Sequence, residues 1–136
     1  MESSTCYCAA LRKATRRLTA AYDAALKPVG INLGQFSLLR TVSRHGPLSL
    51  TDLARRMELD RSTVGRNVRV VERLALVRPA ASPDQREAAI ELAPEGRRVL
   101  AEAMPLWAGV QTRIDARLGP DGAAALLAEL GGITAD

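Results

Sequence analysis

The chain has 136 residues, 47% hydrophobic, 25% charged and 3% aromatic, with a formal net charge of +4. That is the size and mix of one globular domain, and it excludes a disordered tail. No apolar run approaches the roughly 18–20 residues of a membrane helix. Met1-Glu2-Ser3-Ser4-Thr5 does not read as a secretory start. One histidine and two cysteines leave little from which to build a metal or hydrolytic centre. The expectation is a cytoplasmic protein with no membrane partner, no metal and no cofactor.

In chain order, residues from about Thr5 to Lys27 contain no Gly or Pro. Tyr7, Leu11, Ala14, Leu18, Ala21 and Ala25 recur there in steps of four and three. The spacing predicts a long helix with one apolar seam, ended by Lys27-Pro28-Val29-Gly30. A second helix is expected over about Leu33–Arg44, with Phe36, Leu39 and Val42 inward, stopping at His45-Gly46-Pro47. Pro47-Leu48 reads as a short extended link. Ser49-Leu50-Thr51-Asp52 is a Ser-x-x-acid helix start, leading a short helix with Leu50, Leu53, Ala54 and Met57. Asp60 is the next N-cap, opening a helix through about Leu74 whose Val64, Val68, Val71 and Leu74 should face the core.

The period then changes. Leu76-Val77-Arg78-Pro79-Ala80 reads as extended, Ser82-Pro83-Asp84-Gln85-Arg86 as a turn, and Glu87–Leu92 as a strand with Ala88, Ile90 and Leu92 on one face. This is a two-stranded ribbon with a polar tip. It must lean on neighbouring helices, because a lone hairpin is marginally stable. Pro94 opens another long helix to about Leu118, through Val99, Ala103, Leu106, Val110 and Ile114. Pro105 should kink or break it. Gly119-Pro120-Asp121 precedes a last helix with Leu126, Leu127 and Leu130.

Charge is uneven along these elements. Residues 1–39 carry five bases against two acids, 40–98 twelve against eight, and 99–136 two against five. Lys13 and Lys27 are the only lysines; every other base is Arg. A basic middle rich in planar guanidinium groups fits a polyanionic partner, although a solvated charged face would look the same. The order helix, short turn, helix, basic ribbon is that of a winged helix-turn-helix. Its second helix would place Arg61, Ser62, Thr63, Arg66, Asn67 and Arg69 toward a major groove. There Arg can pair with guanine, Asn with adenine, and the hydroxyls with phosphate or base edges. The plain alternative is an amphipathic helix with a polar outside. Gly65, a poor helix former, fits either a close approach to DNA or close packing.

These residues carry a family resemblance. The block Leu53-Ala54-Arg55-Arg56-Met57, Asp60 through Asn67, Glu72 through Val77, Asp84-Gln85-Arg86 and Ile90 through Gly96 resembles the MarR family of bacterial transcriptional regulators. The resemblance covers nearly the whole chain. It implies a mainly α fold with a small β-hairpin wing, in which the winged helix-turn-helix is joined to a helical dimerisation lobe. It also implies a homodimer on double-stranded DNA, with Arg86 of the wing entering a minor groove and Asp84 helping to hold it. As one integrated domain, the chain divides into a dimerisation helix (1–30), a DNA-binding core (31–96) and C-terminal dimerisation helices (97–136). Ala93 stands where the family usually has Thr, removing a side-chain helix cap. Ala75 replaces the usual turn residue. The seams on the first and the 99–118 helices suit a dimer, or else a larger monomeric core. A dimer calls for a palindromic operator.

Release from DNA has two candidate triggers. Some relatives in the family sense oxidants through a Cys in the first helix, and Cys6 and Cys8 lie at its start, where a thiol can be oxidised. Residues two apart in a regular helix face different ways, so the two would not readily bridge each other. The bland reading is that Cys6 is frayed and Cys8 packs as a small apolar residue. The resemblance also implies a small-molecule inducer, of phenolic or aromatic acid type, in a pocket between the lobes. Arg16, Tyr22, His45 and Trp107 are the candidates for lining it. Their alternatives are core anchors (Tyr22, Trp107), a solvated charge (Arg16) and a helix C-terminal charge (His45). The rival classes are a non-specific architectural DNA binder and a thiol-based peroxide-reactive protein. No enzyme motif is present, and a repressor is the expected role.

Overall fold

The computed structural model describes residues 4–81 and 88–136. Its elements are α1 (Tyr7–Leu26), a 3-10 turn (Lys27–Val29), α2 (Leu33–His45), β1 (Leu48–Ser49), α3 (Leu50–Met57), α4 (Arg61–Arg73), β2 (Val77–Ala80), β3 (Ala89–Leu92) and α5 (Pro94–Gly131). The fold is mostly helical with a small antiparallel sheet, as the sequence led us to expect.

Local chemistry sets the helix starts. Asn32 caps α2 by a reciprocal box: its side chain accepts from Gln35 N–H at 2.8 Å, and the Gln35 side chain accepts from Asn32 N–H at 2.9 Å. Asp23 of α1 accepts the next backbone donor, Leu33 N–H, at 2.7 Å. The end of α1 is thereby tied to the start of α2. Ser49 caps α3 and Asp60 caps α4, both as expected. Ala93 precedes α5 with no side-chain cap.

The sheet differs from the expected two-stranded ribbon. Its order is β1-β3-β2, with Leu48 opposite Ile90, Ser49 opposite Ala89, and Val77 opposite Leu92. The link after Pro47 is thus a third strand. It is too short for any alternation to show in the sequence. The pairing also shifts the inward face: Ala89, Ile90 and Leu92 are buried, whereas Ala88 lies just before β3 and is exposed. Arg78 and Glu91 face each other across β2 and β3 and form an ion pair at 3.3 Å.

Two further expectations are corrected. Pro105 does not break its helix; the single non-helical residue inside α5 is Gly119, at φ 72° and ψ 162°, the boundary expected before the last helix. Pro105 costs the hydrogen bond to the Ala101 carbonyl. Both residues are exposed, so water can satisfy the freed oxygen. Gly119 instead takes a conformation that L side chains rarely adopt. Leu74 does not face the core. It is exposed at the end of α4, the next residue Ala75 turns left-handed at φ 60°, and Leu76 takes the buried place.

The core gathers Leu26 of α1, Phe36, Leu38, Leu39 and Val42 of α2, Leu53 of α3, Val64, Val68 and Val71 of α4, the buried sheet residues, and Val99, Leu100 and Ala103 of α5. α5 begins against the turn after α4. Ala93 N–H donates to the Leu76 carbonyl at 3.0 Å, and Gly96 packs on that same carbonyl. The seam of α1 is different. Tyr7, Leu11 and Leu18 are exposed, as are Leu126, Leu127, Leu130 and Ile133 at the other end of the chain.

Candidate nucleic-acid interface

Glu58 closes α3 in a left-handed conformation, and Leu59 and Asp60 lead directly into α4. The helix-turn-helix follows from that tight turn. Along α4 the buried side is Val64, Gly65, Val68 and Val71. At 100° per residue the opposite side carries Ser62, Arg66, Arg69 and Arg73, all exposed. Among the described residues, no ion pair involves Arg61, Arg66, Arg69 or Arg73. An exposed guanidinium row on a capped helix suits a phosphate-lined groove.

The start of α4 is internally bonded. Asp60 Oδ1 accepts from Thr63 N–H at 2.7 Å and from Ser62 Oγ at 2.7 Å, and its Oδ2 accepts from Thr63 Oγ1 at 2.8 Å. Arg66 Nη2 in turn donates to Thr63 Oγ1 at 3.2 Å. The backbone donor of Thr63, then the hydroxyls of Ser62 and Thr63, hold the Asp60 carboxyl down at about 2.

The sequence-predicted reader residues do not share one face. Asn67 lies on the α1/α2 flank, lining a groove of about 360 Å³ with Thr19, Asp23, Asn32 and Gln35. Arg69 stands at the sheet-side edge of the exposed row and also lines a groove between α4 and the sheet with Gly65, Val68, Glu72, Pro79 and Ile90. Gly65 is buried, yet a Cβ there would meet none of the described residues within 4 Å. Crowding by the described residues does not explain it. Asp84 and Arg86 lie outside the described residues.

Of the pocket candidates, Arg16 is exposed and Tyr22 is buried, its hydroxyl donating to the Gln111 side chain of α5. Burial, and then Asp115, push the Tyr22 phenol above its ordinary range. Trp107 stacks on Phe36 at 5.6 Å between ring centroids. His45 is exposed at the end of α2. The four are not brought together.

The structure gathers a different set. Arg40 of α2 lies over the Trp107 ring, 4.4 Å from its centroid, and its buried Nε has no hydrogen-bond partner among the described residues. Burial, and then Arg44 one turn on, lower the Arg40 pKa. Arg40, Arg44 and Arg97 line a cavity of about 350 Å³ whose apolar wall is Leu92, Leu100 and Met104. An adjoining cavity of about 400 Å³ shares Arg40 and Arg44 and adds His45 and Arg56. Among the described residues, no acid lines either one. The one-turn spacing of Arg40 and Arg44 is visible in the sequence; the approach of Arg97 and Trp107 is not.

Cys6 and Cys8 are both exposed and unbridged. Cys6 sits before α1 with extended backbone, so the helix-spacing argument against a bridge does not hold for this pair. Among the described residues, no cluster of three metal-binding side chains is present, and no helix is long and apolar enough to cross a membrane.

Comparison with known proteins places this geometry. The MarR family model matches residues 29–87. A Mycobacterium tuberculosis transcriptional regulator, MosR, solved in complex with DNA, is 40% identical, with 93% of this chain and 94% of that one covered and a TM-score of 0.82. The transcriptional repressor CouR, bound to a 23-mer duplex, is 26% identical, with 93% and 90% covered and a TM-score of 0.84. BpsR of Bordetella bronchiseptica, whose DNA binding is regulated by 6-hydroxynicotinic acid, shares the fold at 22% identity, with 98% and 99% covered and a TM-score of 0.84. No functionally curated protein matches the chain. On the family match, the 40% identity over nearly the full length and the helix-turn-helix with its sheet, the chain belongs to the MarR family of transcriptional regulators.

Proposed function

We propose that the protein is a homodimeric repressor that reads a palindromic operator through α4 and the wing. The observation that carries this reading is the exposed row Ser62, Arg66, Arg69 and Arg73, in no ion pair among the described residues and set over a buried valine stripe. Asn67 and Arg61 flank the row, and Asp84 and Arg86 belong to the wing in this reading. The DNA-bound relative at 40% identity supports it. The dimer is supported by apolar side chains left open at both ends of the chain: Tyr7 is 86% exposed, Leu127 69% and Ile133 63%. Single exposed leucines are ordinary, but two such rows at the chain ends call for a cover.

Release is assigned to a small organic anion. Three arginines beside an apolar wall suit a carboxylate or phosphate on an apolar body. The partnerless Arg40 Nε is the group such a ligand would satisfy. Thiol oxidation is the second reading, favoured by the exposure of Cys6 and Cys8.

Fluorescence anisotropy tests the main reading. The duplex upstream of the protein's own gene is compared with a scrambled duplex at two salt concentrations, with reductant present. The expected result is tight, salt-dependent binding that collapses on the scrambled duplex and weakens in Arg66→Ala. Equal binding to both duplexes would favour an architectural binder, and absence of binding at low salt would overturn the reader-face assignment.

A further inference from the structure

We propose that Asp60 and Thr63 are positioning residues that aim Arg66, and that they set how sharply one base is discriminated rather than how tightly DNA is held. The inference rests on the reading of α4 as the reader helix. A hydroxyl has one proton to give. Those of Ser62 and Thr63 are both given to Asp60, at 2.7 and 2.8 Å. Neither side chain can donate to a phosphate without leaving the carboxylate. What Thr63 retains is acceptor capacity, and Arg66 Nη2 occupies it at 3.2 Å.

The order of control therefore runs outward along one face. Asp60 fixes the hydroxyl of Thr63, and Thr63 fixes one corner of the Arg66 fork. A guanidinium has five N–H donors; one is committed, and the rest remain for a base edge. An unheld arginine samples many rotamers and can grip any nearby phosphate. A held one presents its fork in one orientation, the requirement for two parallel bonds to a double acceptor such as guanine O6/N7. The negative charge of Asp60 adds to this. It repels the phosphate backbone, so a side chain that leaves the clasp for a phosphate loses an attractive partner.

The test uses the full-length protein and a randomised duplex library, with base preference read by selection and sequencing. The variants are Thr63→Val, which keeps the branched shape without the hydroxyl, Thr63→Ser, which restores the hydroxyl, Asp60→Asn, which keeps an oxygen for the helix cap but cannot accept at both atoms, and Arg66→Ala. Wild type should enrich a guanine at one symmetric pair of positions, and Arg66→Ala should lose it. Thr63→Val should lower that preference by about tenfold, the order of a lost bidentate contact, while its affinity for random duplex stays equal or rises. Thr63→Ser should retain the preference, and Asp60→Asn should lower it. Should Thr63→Val fail to fold, Asp60→Asn decides the matter in the same way.

Loss of the preference in Arg66→Ala with no change in Thr63→Val or Asp60→Asn would overturn the positioning role and leave the reader helix standing. No change in Arg66→Ala would overturn the reader assignment itself, and the positioning role with it.

Discussion

Gly96 sits so close to Leu76 that a Cβ on it would stand 1.9 Å from the Leu76 carbonyl oxygen. The neighbour is backbone, already accepting from Ala93 N–H, so it cannot swing aside. Gly96→Ala should therefore cost about 3 kcal/mol, the upper end for overpacking a core. Urea unfolding measures it; an unchanged midpoint would mean that α5 can slide on the α4–β2 turn.

Two positions are open to improvement. Ala75 holds φ 60° without being glycine, and Ala93 stands at the start of α5 without a capping side chain. Ala75→Gly should raise stability by about 1 kcal/mol, and Ala93→Thr by about 1 kcal/mol. Calorimetric melting of each variant at fixed protein concentration is the check, because a dimer's Tm depends on concentration.

Gly65 allows a sharper experiment. A methyl group there meets none of the described residues, so Gly65→Ala should stabilise α4 by about 0.5–1 kcal/mol. If DNA backbone approaches this point, the same variant should bind its operator more weakly. Higher Tm with unchanged operator affinity would show that no close approach occurs.

The Asp60 carboxyl has a direct acid signature. Its pKa falls from the ordinary 3.8 to about 2 in the fold. The sign follows from that depression: its contribution is full above pH 3.8 and is lost as pH falls toward 2. The stability gap between wild type and Asp60→Ala should be constant near neutrality and close between those limits. A gap that stays open at pH 2 would show that the cap does not depend on the charge.

Trp107 is the only tryptophan, and Arg40 lies over it. Titrating benzoate-type anions should change its emission, and Arg40→Gln or Arg44→Gln should abolish the response. A response that survives both would move the anion elsewhere.

Much of this was legible in the residues. Ser49 and Asp60 announce their helices because a side-chain oxygen placed before an apolar period has one efficient use, capping. The valines of α4 carry a clean period, so the polar side is legible too. The failures share a cause. Leu48 and Ser49 form a strand only because Ile90 and Ala89 lie opposite, and that pairing spans some forty residues of sequence. The helix boundary at Gly119 was legible, but the additional break expected at Pro105 is absent because solvent can satisfy what Pro105 leaves unpaired. The arginine-lined cavity needs Arg97 brought beside Arg40, and the stack on Trp107 needs α5 against α2, which no local pattern encodes. The Asp60–Thr63–Arg66 chain was present in the spacing, since residues three apart share a helix face, but it takes the hydroxyl geometry to show which groups are already engaged.

The two-residue β1 has a mechanical meaning. It lies between α2, which carries Arg40 and Arg44, and α3, the first helix of the DNA-reading pair, and it is bonded sideways to β3 of the wing. A rotation of α2 on filling the arginine cavity would pull on a junction shared by α3 and the wing. In the proposed reading, both DNA-facing parts would then shift in one stroke, so release would need no hinge of its own.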